Sequence, residues 1–572
     1  MAMHVHSSFS EGAASMRQQL TAAKTNAIDV IWWSDHDWRM SAHGYRQVVH
    51  FTALTESENG VPITWRKVTS TGTATSAIAI VASPASPLDP SPSSSLSVSA
   101  TGTGTSFSTA RAVAKGGRDN VRSSLAGQTL AMEIYPNSMS SDTFCEIRIA
   151  SSTHPATNGR PAGAYTLSYR IGGPDPAGTR RADGLTGVVV LPGTAGVWNS
   201  VVISPAGDAA ALWPGLEADD LSLCELSFGV QSRNGAPARG YIDFLRFTRT
   251  VDGNAPMDVQ RRLMSTYQAA FPAITQRQGL EVSLYDRHLN WFGGDVSLPD
   301  YGTLRILPEI HDDAAIAGQV AMIHNAGGVA SLNHMFGTGN DLVSEDEQER
   351  RRRALAPKLI SNAAFGADIL EVGDRQRGGV DLSRHLAMWD ACSRNGIFLT
   401  GNGVSDDHSG QGWRTSIRNF FTYAWAADTQ EPSLLAALRA GRCYFGDIQR
   451  YSGWLDLLVD QVHPMGSVSI AQLPSRTLRI IATRIPSGGQ VSVVTGPVDY
   501  AGPTQPDPGT TTTSLPGSAF GAGYADITVD TPTSRFVRVA VCDATGRIVG
   551  GSNPVWLLTD AGPTPIPPAR LS

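Results

Sequence analysis

Cysteine is scarce: five in 572 residues (Cys145, Cys224, Cys392, Cys443 and Cys542), with none of the close spacings of a zinc knuckle or a redox pair. Cys145 and Cys224 are the one combination a bridge could join, and separate buried thiols are the simpler reading. No apolar run is long enough to span a bilayer, so an integral membrane protein is not expected. An excess of one charge is missing too. The 45 Lys and Arg stand against 51 Asp and Glu, for a net charge of -6, and the cations are scattered, so no footprint for nucleic acid is expected. The run Arg350 to Arg353 reads as the solvated face of a helix. No signal peptide is visible, yet His4 and His6 come so early that their strand has almost nothing before it. A trimmed start, with an export signal removed, is therefore one expectation, and the compartment stays open.

The length exceeds what one core usually supports, and composition divides the chain. Residues 1–51 read as α/β, with a strand near Val5, a helix from Met16 to Ala27 and an apolar strand from Asp29 to Trp33. Residues 52–252 turn rich in Ser, Thr, Gly and Pro, with short alternating segments, and read as an inserted β-sandwich of jelly-roll type. Within it, Ser83 to Thr105 is almost all small residues and proline and reads as a flexible loop. Residues 253–450 return to α/β alternation. Helices are expected at Asp258 to Gln278, Ala314 to Ala326, Glu345 to Leu355, His385 to Asn395 and Pro432 to Ala440. Strands are expected at Leu280 to Leu284, Gly328 to Leu332, Ala367 to Val372 and Ile397 to Leu399, a rhythm of parallel strands with crossover helices. A small β-sandwich is expected over 451–560, and a loosely held Pro-rich tail over 561–572.

Titratable residues recur where the apolar strands end. His4 and His6 are two apart on a strand and share a face, Glu11 follows, and Asp35-His36-Asp37 closes the next strand. Later come Glu281 with His288, then His334, then Asp406 with His408. Strand ends converge in a barrel or doubly wound sheet, and imidazole mixed with carboxylate suits Zn, Mn or Fe rather than calcium. Asp35, Asp37 and Asp407 are candidates to move a proton or orient a ligand, and Arg39, Arg375, Asn333 and Asn402 to contact substrate. His43 is a candidate to line the pocket. His50, His154, His311, His324, His385 and His463 lack partners in the pattern and are taken as structural.

The order HxH, Ser-x-x-Ser-acid-Gly, Ser-Asp-His-Asp, Glu then His, Asn-His and Asp-x-His resembles the PHP (polymerase and histidinol phosphatase) family of metallophosphoesterases. The resemblance covers about 1–50 and 256–450, and implies a distorted (β/α)7 barrel interrupted by the sandwich. It implies two or three divalent ions: one held by His4, His6, Glu281 and Asp406, and a second reached through Glu281 and held by His288 and His334. Glu11, His36 and His408 would hold a third or complete the second. The family more often has aspartate where Glu11 stands. A hydroxide bridging two ions would attack a phosphoester, as a mono-, di- or triester. Leu434 to Gly446, with Gly441-Arg442-Cys443-Tyr444, is similar to the branch with carbaryl-hydrolase-like enzymes, so a carbamate or carboxylic ester is an alternative substrate for the same centre. A third expectation is a binding protein whose inserted sandwich takes carbohydrate, with Trp198, Trp213 or a nearby tyrosine as a stacking face.

Overall fold

The computed structural model describes residues 1–41, 48–58, 61–88, 94–115, 122–157, 159–250, 253–283, 287–300, 313–339, 341–413 and 419–571. His43 and His311 lie outside them. The site rests on one seven-stranded sheet in the order β1 (Ala2–Val5), β2 (Val30–Trp33), β3 (Thr275–Val282), β4 (Leu289–Phe292), β5 (Val329–Leu332), β6 (Ile369–Gly373) and β7 (Thr400–Gly403). All seven are short, and all but the start of β3 are fully buried, which is why they read as apolar runs. Between β1 and β2, Ser15 caps the helix Met16–Thr25 by accepting from the Gln18 amide, and the face carrying Met16, Leu20 and Ala23 packs into the core.

The expected (β/α)7 barrel is not what forms. Among the described residues strand outweighs helix, 42% against 19%, so they are mostly β. The sheet itself is mixed: β4 runs antiparallel to both β3 and β5, while the other pairs are parallel. Its edges do not close in a ladder. β1 and the segment after β7 share one isolated bridge, Val5 with Asp407. The physical reason is that β3 ends at Val282 and β4 starts at Leu289, too short a span for a crossover helix, so the chain must turn back antiparallel. The helix expected to reach Gln278 stops at Gln268, and β3 already begins at Thr275. The strand expected at Ile397 to Leu399 forms three residues later, as β7.

The insert is two facing sheets around one core that includes Trp65, Leu130, Ile147, Tyr169 and Phe228. Ser95–Gly102 is a strand of it, paired on both sides, so the flexible loop expected over Ser83 to Thr105 is corrected there: Leu96 and Val98 point into the core between small residues. The insert's second sheet also takes in Val48–Val49, before the expected boundary at 52. Likewise Phe420–Ala424 and Cys443–Asp447 join the sheet of the C-terminal β region through Ile548–Ser552, so the boundary expected at 450 falls behind strands already committed to that region. The Pro-rich tail is tied down at Arg570, which is buried, donates to Thr400 Oγ1 (2.6 Å) and the Gly466 carbonyl (2.8 Å), and lies over the Trp556 ring. All five cysteines are free thiols. Among the described residues no helix is long and apolar enough to cross a membrane.

Candidate metal centre

β1 delivers His4 and the residue after it, His6, to the end of the sheet where β3, β6 and β7 also finish. Both imidazoles are fully buried. Glu281, on β3, is the hub: its carboxylate lies 3.3 Å from His4 Nε2, 3.3 Å from His6 Nε2, 2.9 Å from His36 Nδ1, 3.1 Å from His288 Nδ1 and 3.2 Å from His334 Nε2. Asp406 Oδ1 is 3.0 Å from His6 Nε2 and 3.2 Å from His4 Nε2. Glu11 Oε1 sits 2.5 Å from His36 Nε2 and 3.3 Å from His408 Nε2. All nine candidate ligands therefore meet in one place. Three overlapping groups have donor atoms within 4.8 Å of one another: His4, His6 and Asp406; His6, Glu11, His36 and His408; His36, Glu281 and His288.

These contacts are close without being hydrogen bonds in several cases. Glu281 Oε2, Glu11 Oε2 and His36 Nδ1 are buried and find no hydrogen-bond partner, although Glu281 Oε2 and His36 Nδ1 are only 2.9 Å apart. The Nε2 atoms of His4 and His6 face each other at 3.2 Å. Nitrogen and oxygen atoms crowded in this way could surround common points, and such a donor set fits Zn, Mn or Fe. Two of the non-glycine residues in the left-handed region, His334 (φ 25°) and Asp406 (φ 46°), sit here.

Electrostatics follow from the same packing. Burial works to lower His4, but Asp406, Glu281 and Glu371 overcome it and raise it to about 10. Burial likewise opposes His6, which Asp406 and Glu281 raise to about 9. His36 is also held well above its ordinary value, against burial, by Glu11 and Glu281. The carboxylates respond in kind, with burial overcome by the surrounding cations, so that Glu11, Glu281 and Asp406 are all held well below the usual range. His334 goes the other way, down to about 4, through burial first and the nearby Arg377 cation second.

Around the ligands stands a set of orienting groups. Glu371, on β6, accepts from His4 Nδ1 at 2.7 Å and from the His334 amide at 2.9 Å, which fixes which nitrogen of His4 faces the centre. Arg377 is buried and donates to Asp406 Oδ2. The sequence pointed to Arg375 instead, because nothing in a short two-strand turn marks which of two arginines faces inward. Asn333 donates to Glu281 at 2.9 Å, in keeping with a place at the site, whereas Asn402 meets Met3 Sδ at 3.9 Å.

The expected proton carriers are engaged otherwise. Asp35 is fully buried and accepts from the Ser7 amide and hydroxyl, Ser10 Oγ and Gln260 Nε2. Asp37 accepts from Ser283 and the Trp38 amide, and Asp407 from Gln19, Ser409 and Gly410. These three carboxylates hold the loops that hold the ligands. Arg39 lies against Glu11 Oε2 at 3.1 Å and over the Trp38 ring. Of the histidines outside the pattern, His324 pairs with Asp368 and His385 contacts the Arg377 carbonyl.

No protein-family model matches the chain. No curated protein matches it either. Solved structures do align with parts of it. A carbohydrate-binding module of the β-sandwich superfamily aligns at 12% identity and TM-score 0.21, over 36% of this chain and 64% of that one. The family 11 carbohydrate-binding module of a cellulosomal cellulase from Clostridium thermocellum aligns at 12% identity and TM-score 0.20, over 37% and 97%. A family 12 xyloglucanase from Bacillus licheniformis aligns at 11% identity and TM-score 0.20, over 27% and 82%.

Proposed function

We propose that the buried cluster is a divalent-metal centre and that the chain is a metal-dependent hydrolase of esters, phosphoesters first. The observation that carries the reading is Glu281, one buried carboxylate within 3.3 Å of five imidazoles. Glu281 would hold bound ions together with these imidazoles. The reading rests on this ligand set and not on a barrel. Bound ions would supply Lewis acidity and a lowered pKa for water at neutral pH. The chain's own part is to hold the ligands. Glu371 sets the tautomer of His4, Arg377 fixes Asp406, and Asp35 and Asp407 pin the loops after β1 and β7. The two cations nearest the cluster, Arg39 and Arg377, are paired with Glu11 and Asp406, so a substrate of low charge, a phosphodiester, phosphotriester or carboxylic ester, suits the site as well as a monoester.

The test is hydrolysis of p-nitrophenyl phosphate mono-, di- and triesters beside a carboxyl ester, with chelator-treated protein restored with Mn, Zn or Fe. Metal-dependent turnover of the phosphate esters supports the reading. Turnover of the carboxyl ester alone moves it to the carbamate or ester alternative, and protein that takes up no metal overturns it.

A second reading concerns the insert, as a carbohydrate-binding module. Trp198 is half-buried and stands edge-on to Tyr135, which stands edge-on to the buried Tyr241, on the insert's second sheet. Trp213 is excluded as a stacking face, because it is buried and donates to the Gly184 carbonyl. Retardation in gels containing mixed-linkage β-glucan or xyloglucan is the assay, and equal mobility of the wild type and Trp198→Ala removes this reading.

A further inference from the structure

The loop from Ser7 to Ser15 carries Glu11; Asp35 holds its Ser7 and Ser10 end and the His408 carbonyl takes the Ala14 amide, and the inserted sandwich holds it at Ser8 and from Glu11 to Ser15. Arg122 donates to the Glu11 carbonyl. Ser222 Oγ donates to the Gly12 carbonyl at 3.1 Å. Thr153, near the end of a sandwich strand, donates its amide to the Ala13 carbonyl (2.7 Å) and accepts from the Ser15 amide (2.9 Å), a strand-like bridge across the boundary. Asp220, in the sandwich turn Ala218–Asp220, is fully buried. It accepts from Ser8 Oγ (2.7 Å), from the Met16 and Arg17 amides at the start of the helix (2.7 and 3.1 Å), and from Tyr267 Oη (2.8 Å). Gly12 lets the loop close on itself: a Cβ there would lie 2.2 Å from the Ser7 carbonyl oxygen. The other ligands are placed differently. His4, Glu281 and Asp406 ride on or just past sheet strands, and Glu371, Asn333 and Arg377, which orient them, belong to the same sheet region.

We propose that the insert is the positioning element of the Glu11, His36 and His408 sub-site, so that one ion of the centre is held only while the sandwich is docked. The proposal rests on the metal reading above. Arg122 and Asp220 are positioning residues acting through Glu11. Neither touches another ligand among the contacts described, and Asp220 holds the loop from its far side. Docking then matters to one sub-site and not to the His4, His6 and Asp406 group, which makes the insert a determinant of how many ions the centre holds.

The experiment counts metal equivalents by elemental analysis and titration for the wild type, Arg122→Ala, Asp220→Asn and Arg122→Lys, and follows amide hydrogen exchange of the metal-free full chain. The expected result is a wild type that binds two or three equivalents, and Arg122→Ala and Asp220→Asn variants whose last equivalent is weakened about 10- to 100-fold while the tightest is unchanged. Arg122→Lys should recover part of the loss. Exchange should rise in Ser7 to Ser15 but not in β1 or β7. Variants with wild-type stoichiometry and affinity overturn the proposal, as does equal weakening of every equivalent. Faster exchange across β1 and β7 overturns it too, since the effect is then global. A wild type that takes up no ion is a distinct outcome, because it overturns the metal reading and this proposal falls with it.

Discussion

At the strand ends of the seven-stranded sheet, Glu281 is buried among imidazoles with one oxygen, Oε2, that no hydrogen bond satisfies; in the sandwich, three buried carboxylates have a donor on each oxygen. Glu133 takes Ser200 and Arg246, Glu146 takes Ser168 and Gln231, and Asp208 takes Tyr169 and Arg180. Both regions bury charge, but each oxygen of these three sandwich carboxylates has a donor, while Glu281 and Glu11 each keep an oxygen without one. Buried polar groups without partners are costly, and the proposed metal centre would satisfy those of Glu281, Glu11 and His36. All three metal-capable groups found among the described residues lie at the sheet end, and none lies in the sandwich.

The comparison breaks hardest at Glu281. Glu281→Ala should abolish metal uptake and lower hydrolysis by more than about 100-fold, beyond the range for outer partners, with the circular dichroism spectrum retained; metal content by elemental analysis decides it. Next is Arg377→Met, which strips a buried carboxylate of its counter-ion and should cost about 3–5 kcal/mol in urea unfolding of the metal-free protein. A smaller loss would mean that Asp406 is already balanced by His4 and His6. Glu371→Gln, which loosens His4, should weaken metal binding about 10- to 100-fold without changing the number of sites, read by titration.

Acid and base should separate the two regions. Burial holds His154, in the sandwich, down to about 3 from an ordinary 6.5, so the folded state refuses a proton that the unfolded chain accepts. Stability from that source is full above about 6.5 and drains as pH falls toward 3. His4 and His6, raised to about 10 and about 9, act in the opposite sense in metal-free protein: their contribution is whole below about 6.5 and is lost as pH climbs through 9 to 10. Region-resolved hydrogen exchange against pH reads both arms, and His154→Gln should remove the acid arm alone. Metal should erase the alkaline arm, since ions displace those protons. The smallest effect is expected at Glu133→Gln, within about 1 kcal/mol for a neutral partner swap and with no change in metal content.

The ligands were legible because they punctuate apolar strands: His4 with His6, Asp406 with His408 and His334 each end a run whose hydrophobicity announces a buried strand. Glu281 was legible as a residue but not as the hub, since its partners come from four separate segments. The antiparallel β4 was invisible, because Leu289 to Phe292 is too short to show a period and direction depends on connection length. The strand Ser95–Gly102 was lost among serines and glycines, whose small side chains suit the gap between two sheets as well as a loop. Asp220 and Arg122 carry no local signal at all; their importance lies in what folds against them.

The tail at Arg570 has a mechanical consequence. Its guanidinium grips Thr400, the first residue of β7, and Asp406 follows on the same segment. A pull on that tail would be passed through Arg570 to the root of β7 and onward toward Asp406, and at the same time to the C-terminal sandwich through Gly466 and Trp556.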